Sequence, residues 1–275
     1  MQGPDQEYVE SAGIPGLDTR VAHISRIYNY WLGGKDNFAV DREAAERAPA
    51  AEPSIALAAR ANRAFLGRAV RFLAAEAGIL QFLDVGTGIP TADNTHQVAQ
   101  RVAPQARVVY ADNDPIVLAH ARALLTSTPE GETSYVDADA RDTATILRGA
   151  AGTLDFSQPV AVTLLMVLHC IPDQDGPGEI VSRLMDAVPP GSYLALSHPA
   201  KDIKVQTGQV ATRRLNDLMG PAQIRPRTRA GIERFFDGLE LLPPGIVQPP
   251  RWRPELGGPG RPGDVPAYCG VARKT

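Results

Sequence analysis

Apolar residues in the amino-terminal part of the chain recur at helical spacing. Residues 21–77 contain three such stretches, which predict three helices. The first would end at Gly33, Asp36 would cap the second, and the third would end at Gly78. Residues 1–20 have no such period, and we expect them to be flexible. This part of the chain is therefore predicted to form a helical cap.

Beyond Gly78 the pattern changes to short apolar runs that alternate with helical stretches. Such alternation is typical of parallel strands joined by crossover helices, with helices on both faces of the sheet. Residues 78–275 are thus predicted to form a doubly wound α/β domain, with a proline- and glycine-rich loop over 243–266. The predicted strands are 81–85, 107–111, 133–136, 160–165, 193–197, 239–242 and 268–273. The predicted helices are 90–102, 115–125, 142–147, 178–188, 200–218 and 229–236.

Composition excludes several classes of protein. The 275 residues carry a formal net charge of −3, which gives no electrostatic footprint for DNA or RNA, so no nucleic-acid partner is expected. No apolar signal segment begins the chain, and no stretch approaches the roughly 18 apolar residues of a spanning helix. We therefore expect a cytoplasmic protein with no membrane partner. Cys170 and Cys269 lack the neighbours of a zinc or redox motif, so no metal is expected and both thiols should be buried.

The strongest local motif follows the first predicted strand. Gly86 and Gly88 would let the backbone turn tightly and approach a ligand, and Pro90 fits the first turn of a following helix. A dinucleotide would place its pyrophosphate here and prefers a third glycine, but Thr91 holds that position. Asp84, together with Asp93 in the predicted first helical turn, would also repel a pyrophosphate. An acidic rim suits S-adenosylmethionine better, because its ammonium and sulfonium groups are cationic.

Carboxylates recur where the second and third strands end. Asp112 follows Gly88 by 24 positions (112 − 88), where it can accept hydrogen bonds from ribose hydroxyls. Asp114 precedes a proline and is more simply explained as a helix cap. Asp139 could accept the amino group of adenine, whereas Asp142 is expected to cap the next helix. The sequence thus predicts several acidic side chains at one sheet edge.

His169 follows the fourth predicted strand and is the histidine expected to face the cleft. It is a candidate general base, although packing against the cofactor or a hydrogen bond to a loop is the favoured explanation. The remaining histidines have no metal-ligand spacing.

These ordered motifs resemble the nucleotide-fold methyltransferases that depend on S-adenosylmethionine, over about residues 78–275. The motifs are DVGTG, YADNDP, VDADARD and LMVLHCIPD. The preceding block RIYNYWLGGKDNFAVDREAAERA, with NRAFLGRAVRFL after it, is similar to an actinobacterial-type family of S-adenosyl methyltransferases known mainly as a domain of unknown function. The resemblance spans nearly the whole chain, and this block is its most specific part.

The resemblance implies a Rossmann-like sheet of seven strands, mostly parallel with the last antiparallel. It implies S-adenosylmethionine as the cofactor, held at the carboxyl ends of the first three strands: Asp84, Gly86 and Gly88 at the methionine end, Asp112 and Asn113 at the ribose, Asp139 and Ala140 at the adenine. It implies neither a catalytic residue nor a substrate.

The amino-terminal block also has a physical interpretation. A helix, a glycine breaker and a second helix could close over the cofactor as a lid. Tyr28 and Tyr30 are two residues apart and cannot face the same way, and Tyr28 is expected to face the site as a weak catalytic candidate. Arg63 could pair with the cofactor carboxylate. In the simpler alternative, Trp31 and Phe38 are ordinary core residues.

The sequence therefore predicts in-line methyl transfer to an unidentified small molecule, with a general base optional. Two alternatives remain open, a non-catalytic protein that binds S-adenosylmethionine and an oxidoreductase that uses NAD. Oligomeric state is not predicted. Residues 201–234 carry an excess of cations that either forms a solvated helix face or binds a carboxylate or phosphate of the substrate.

Overall fold

The computed structural model of the protein describes residues 18–124, 126–220, 223–254 and 264–275. Most of the predicted flexible amino terminus and part of the predicted 243–266 loop lie outside these residues. The described strands are β1 Gln81–Val85, β2 Arg107–Asp112, β3 Glu132–Asp137, β4 Ala161–Leu165, β5 Tyr193–Pro199, β6 Glu240–Leu241 and β7 Ala267–Arg273. The α-helices are α1 Ile24–Trp31, α2 Ala39–Arg47, α3 Ser54–Ala75, α4 Thr95–Val102, α5 Pro115–Leu124, α6 Thr143–Ala150, α7 Pro177–Asp186, α8 Val205–Asn216 and α9 Arg229–Glu233.

Within these residues the strands form one sheet in the order β3-β2-β1-β4-β5-β7-β6. The first five strands pair in parallel, and β7 runs antiparallel to both β5 and β6. The predicted fold class is confirmed. Strand order reverses between β1 and β4, and ligands of open α/β sheets bind beyond the carboxyl ends of the strands at such a point.

Helices cover both faces of the sheet. On one face the strands pack against α6, α7 and α9, through buried side chains such as Ile146, Leu184 and Ile232. On the other face they pack against α3 and α4, through Phe65 and Val98 among others. Because helices cover both faces, the strands are mostly apolar on both sides. A half-exposed sheet would instead alternate apolar and polar residues.

The amino-terminal helices pack differently from one another. Helices α1 and α2 form a separate apolar cluster with α8, in which Ile27, Ala44 and Leu215 are buried. Helix α3 joins the layer that covers the sheet. The proposed division of the chain at residues 20 and 77 remains a prediction. No helix in the part of the chain that the structure describes is both long and apolar enough to cross a membrane.

Three predicted helix starts are wrong, one of them that of α8, which begins at Val205 and not at residue 200. Pro90 and Asp93 do not lie in a helix, because Asp93 adopts a left-handed conformation at φ 61° and α4 begins only at Thr95. The side chain of Gln97 accepts a hydrogen bond from the Asn94 N–H at 2.8 Å and fixes that start. Asp36 does not cap α2, since the Asp41 carboxylate accepts the Phe38 N–H at 2.8 Å instead.

The two glycines of the turn after β1 give the first prediction. Both have positive φ, 73° at Gly86 and 67° at Gly88. A Cβ at Gly86 would overlap Val167, whereas a Cβ at Gly88 would enter open space. Gly86→Ala is therefore expected to lower the free energy of unfolding by about 3 kcal/mol, and Gly88→Ala by about 1 kcal/mol. Urea unfolding of the two variants measures this difference. Equal losses would contradict the contact with Val167.

Candidate active site

A cavity of about 700 Å³ lies at the carboxyl ends of β1 to β5. Residues of α1, α3 and α8 complete its wall, so the amino-terminal helices and the sheet enclose it together. Its position matches the binding position expected for an open α/β sheet. The volume is within the usual range of small-molecule and cofactor sites, roughly 300–1,000 Å³.

Asp84, Gly86 and Gly88 all line this cavity, as the sequence analysis placed them. Asp84 is buried at the end of β1, and its carboxylate accepts hydrogen bonds from Thr95 Oγ1 at 2.6 Å and Thr163 Oγ1 at 2.8 Å. Burial raises the pKa of the Asp84 carboxyl, and the two hydroxyl donors act against that rise. The carboxylate is thus held in a fixed orientation.

Asp112 connects the glycine turn to β2. Its Oδ2 accepts the Gly88 N–H at 2.8 Å, and its Oδ1 accepts the Asp114 N–H at 2.9 Å. The side chain is buried and lines the cavity, and burial raises its pKa despite these two backbone donors. The loops that follow β1 and β2 are therefore held together by one carboxylate.

The amino-terminal helical cap is attached through Asp114, two residues after Asp112. Asp114 Oδ1 accepts the Ile116 N–H at 2.9 Å, which confirms its predicted role as a helix cap. Its Oδ2 accepts the Ser25 hydroxyl at 2.7 Å and lies 2.9 Å from His23 Nδ1. Burial alone would raise the pKa of Asp114, but the bonds from His23 and Ser25 hold it at about 2. These contacts fix the start of α1 beside the cavity.

Asp139 and Ala140 line the cavity beyond β3, and Asn113, which follows β2, lines it beside them. Its Oδ1 accepts two hydrogen bonds from Arg141, and its Oδ2 accepts one more from Arg141 and one from Asn113 Nδ2 at 3.0 Å. A carboxylate offers about four lone-pair sites, so this one is fully used. A further donor such as an adenine amino group would have to displace one of these. Asp142 Oδ1 accepts the Thr145 N–H at 3.0 Å and caps α6, as predicted.

Tyr28 and Arg63 both line the cavity, but protein groups already engage their polar atoms. The Tyr28 hydroxyl donates to the Ala59 carbonyl at 2.9 Å and accepts from Asn62 Nδ2 at 2.9 Å. Arg63 donates to the Ala92 carbonyl at 2.8 Å, in the loop after β1. Tyr30 points away and donates to Glu46, so Tyr28 is the tyrosine that faces the site, as predicted.

Trp31 and Phe38, two aromatic residues of the predicted lid, pack in apolar clusters. Trp31 is buried and lines the cavity, and its Nε1 donates to the Ala45 carbonyl at 2.9 Å. Phe38 is partly buried against the cluster of Ile89, Ile116 and Val117.

His169 is buried in a short 3₁₀ helix after β4 and lines the cavity. Its ring meets His198 edge to face, with centroids 5.9 Å apart, and its Nδ1 has no hydrogen-bond partner among the described residues. Burial lowers the pKa of His169 to about 3, and the nearby Arg227 adds to that effect. The imidazole is therefore neutral at physiological pH.

The sequence alone does not single out Arg227 as a residue of the site, because it is one of many cations in 201–234. Its guanidinium donates to the carbonyls of Leu168 and Ile171, to the Asp173 carboxylate and to His198 Nε2. It thereby holds the loop that carries His169 against the end of β5. Ser25 and Thr163 were missed because their partners are 89 and 79 residues away in sequence, and Thr95 because no local pattern marks it.

Metal and thiol chemistry have little support in this cavity. Over the described ranges, no group of histidine, cysteine and acidic residues could hold a metal ion. Cys269 is buried, as predicted, whereas Cys170 is only partly buried and lines the cavity. Burial raises the pKa of Cys170 to about 12, so it is a protonated thiol.

The comparisons with known proteins agree with this geometry. A model of the S-adenosyl methyltransferase family matches residues 11–275. The chain belongs to that family. A DUF574 family protein from Streptomyces avermitilis is 46% identical, with a TM-score of 0.88 over 94% of this chain and 99% of that one. A structure described as a candidate methyltransferase, from Thermobifida fusca, is 41% identical, with a TM-score of 0.86 over 95% of this chain and 98% of that one. No match is found among curated proteins.

The buried imidazole gives the second prediction. Because burial disfavours its charged form, His169 is expected to remain neutral from about pH 8 down to about pH 5, whereas an ordinary histidine titrates near 6.5. Nitrogen-15 NMR of histidine-labelled protein follows each ring, and the His169→Gln variant assigns the signal. A midpoint between about 6 and 7 for that ring would contradict its burial beside Arg227.

Proposed function

We propose that this methyltransferase binds S-adenosylmethionine in the cavity and transfers its methyl group to a small molecule. The observation that carries the proposal is the group of carboxylates, Asp84, Asp112 and Asp139, that line one side of the cavity beside a glycine turn. This arrangement favours a cationic nucleoside. It opposes a dinucleotide, whose pyrophosphate would meet the same charges.

Two features support the fit of the cofactor. Gly88 leaves space that a side chain would fill, since a Cβ there would have no atom within 4 Å, and the residue lines the cavity. Burial also disfavours the charged forms of Asp84 and Asp112, as their raised pKa values indicate. A cationic ligand beside them would stabilise those charged forms.

We assign the contacts by position along the sheet edge. Asp84, Gly86 and Gly88 would hold the methionine end, and Arg63 would face its carboxylate. Asp112 and Asn113 would hold the ribose, and Ala140 and Asp139 the adenine. Asn113 Nδ2 now donates to Asp139, so its transfer to a ribose oxygen would free Asp139 to accept the adenine amino group.

S-adenosylmethionine supplies an electrophilic methyl group when bound. The cavity walls would hold the acceptor in line with that methyl and exclude water, an effect worth up to about 7–11 kcal/mol in favourable cases. His169 would orient the acceptor through a hydrogen bond to its neutral ring. It is too weak a base at a pKa of about 3 to remove a proton from an ordinary hydroxyl. Tyr28 would form part of the wall, since Ala59 and Asn62 occupy its hydroxyl.

A small molecule is the acceptor that the cavity favours. Its volume of about 700 Å³ is shared by the cofactor and the acceptor, which leaves room for a compact group. The net charge of −3 gives no general attraction for nucleic acid.

The third prediction tests cofactor binding directly. Asp112→Asn keeps the shape of the side chain but removes the negative charge, and it should weaken S-adenosylmethionine binding at least about tenfold, the loss of one charged hydrogen bond. Isothermal titration calorimetry measures the affinity, and NAD is expected not to bind. The matched control is Asp142→Asn, which removes a carboxylate outside the cavity. Tight binding of NAD, or equal affinities in both variants, would contradict the proposal.

A further inference from the structure

Electrical charge divides the cavity into two sides. The acidic side is formed by the residues that follow β1, β2 and β3, as described above. On the other side, beyond β5 and on α8, the cavity is lined by Lys201, Lys204 and Arg213. Two to four strand spacings of about 4.8 Å separate the end of β5 from the ends of β1, β2 and β3, which is about 10–19 Å along the sheet edge. At that distance in a partly screened cavity, the two sides can bind different ligands independently.

The cations of this second side are not used in salt bridges. Within the described residues, Lys201, Lys204 and Arg213 form none, whereas Arg227 nearby pairs with Asp173. At longer range, the charge of Lys201 helps to lower the pKa of Asp173, and the charge of Lys204 helps to lower the pKa of Glu52.

Those two carboxylates already have closer partners. Arg227 donates to Asp173, and the Ser54 and Thr207 hydroxyls donate to Glu52. The three cations are therefore available to a ligand.

The backbone supports the same conclusion. Lys204 adopts a left-handed conformation at φ 53°, and Met166, which also lines the cavity, does so at φ 54°. Such conformations in residues other than glycine cost about 1 kcal/mol or more and concentrate at functional sites. Lys204 is the residue that precedes α8, and its conformation places a cation at the cavity wall.

The wall between these cations is apolar. Ile203, Val205 and Ile224 line the cavity near them, and Val205 is 48% exposed despite its apolar side chain. Exposed apolar surface beside unpaired cations favours a ligand with an apolar body and an anionic group.

We infer that the methyl acceptor is an apolar organic anion, a carboxylate or a phosphate monoester, whose anionic group is bound by Lys201, Lys204 and Arg213. The inference rests on the proposed function, since it names the acceptor of the same site.

The test uses four probes of similar size: phenylacetate, benzyl phosphate, phenylacetamide and phenethylamine. Ligand-observed NMR titrations measure their affinities for the protein, with and without S-adenosylmethionine. At least one anion is expected to bind about tenfold more tightly than the neutral amide, and the amine is expected to bind most weakly. The tighter of the two anions identifies the group that the site takes.

A triple variant, Lys201→Gln with Lys204→Gln and Arg213→Gln, should lose that preference and bind the anion about tenfold more weakly. Its affinity for the amide should not change. The matched control carries the same change of net charge outside the cavity, as Arg101→Gln, Arg148→Gln and Arg183→Gln, and should bind the anion normally. Thermal unfolding checks that both variants are folded.

Three results would overturn the inference: an amide or amine that binds as tightly as the anions, an anion affinity that the cavity variant and the control lower equally, or no binding of any probe. Failure of the proposed function is detected separately. In that case calorimetry finds no S-adenosylmethionine binding, whether or not the anions still prefer the cationic side.

Discussion

The site depends on the two hydrogen bonds of the Asp112 carboxylate. One oxygen accepts the N–H of Gly88 and the other accepts the N–H of Asp114, so a single side chain joins the turn after β1 to the loop after β2. Asp114 in turn bonds to Ser25 at the start of α1. The glycine turn and the second strand are therefore joined by Asp112, which also faces the cavity, and the amino-terminal helices are attached to them through Asp114.

That arrangement has an electrostatic cost. Asp84 and Asp112 are both buried, and removal of a carboxylate from water is unfavourable unless donors or a cation compensate. Hydroxyl and backbone donors compensate in part, yet burial still raises both pKa values. A cationic ligand would supply the remaining compensation. The opposite side of the cavity is lined by cations, and on the proposed function this separation of charge would let one cavity hold a cationic cofactor and an anionic acceptor together.

Much of the fold could be predicted because its signals are local. The first strand was predicted with its observed ends, since QFLDV has an apolar centre and lies between Gly78 and Gly86. Helix caps such as Asp142 follow from residue type and position. The start of α4 was wrong because the left-handed Asp93 and the bond between Gln97 and Asn94 replace the regular turn that Pro90 suggested.

The contacts that organise the site could not be predicted, because their partners are far apart in sequence. Thr163 donates to Asp84 across 79 residues, and Arg227 reaches Leu168 across 59. No spacing or composition marks such pairs before the strands are ordered. For the same reason, the excess of cations in 201–234 could not be divided into the half-buried Arg227 and the cations that line the cavity.

The most direct measurement is a crystal structure of the protein with S-adenosylhomocysteine bound. We expect the nucleoside in the cavity, with its ribose hydroxyls on the Asp112 carboxylate and its amino acid end beside Gly86 and Gly88. A nucleoside bound outside this cavity, or one whose ribose does not contact Asp112, would contradict the account.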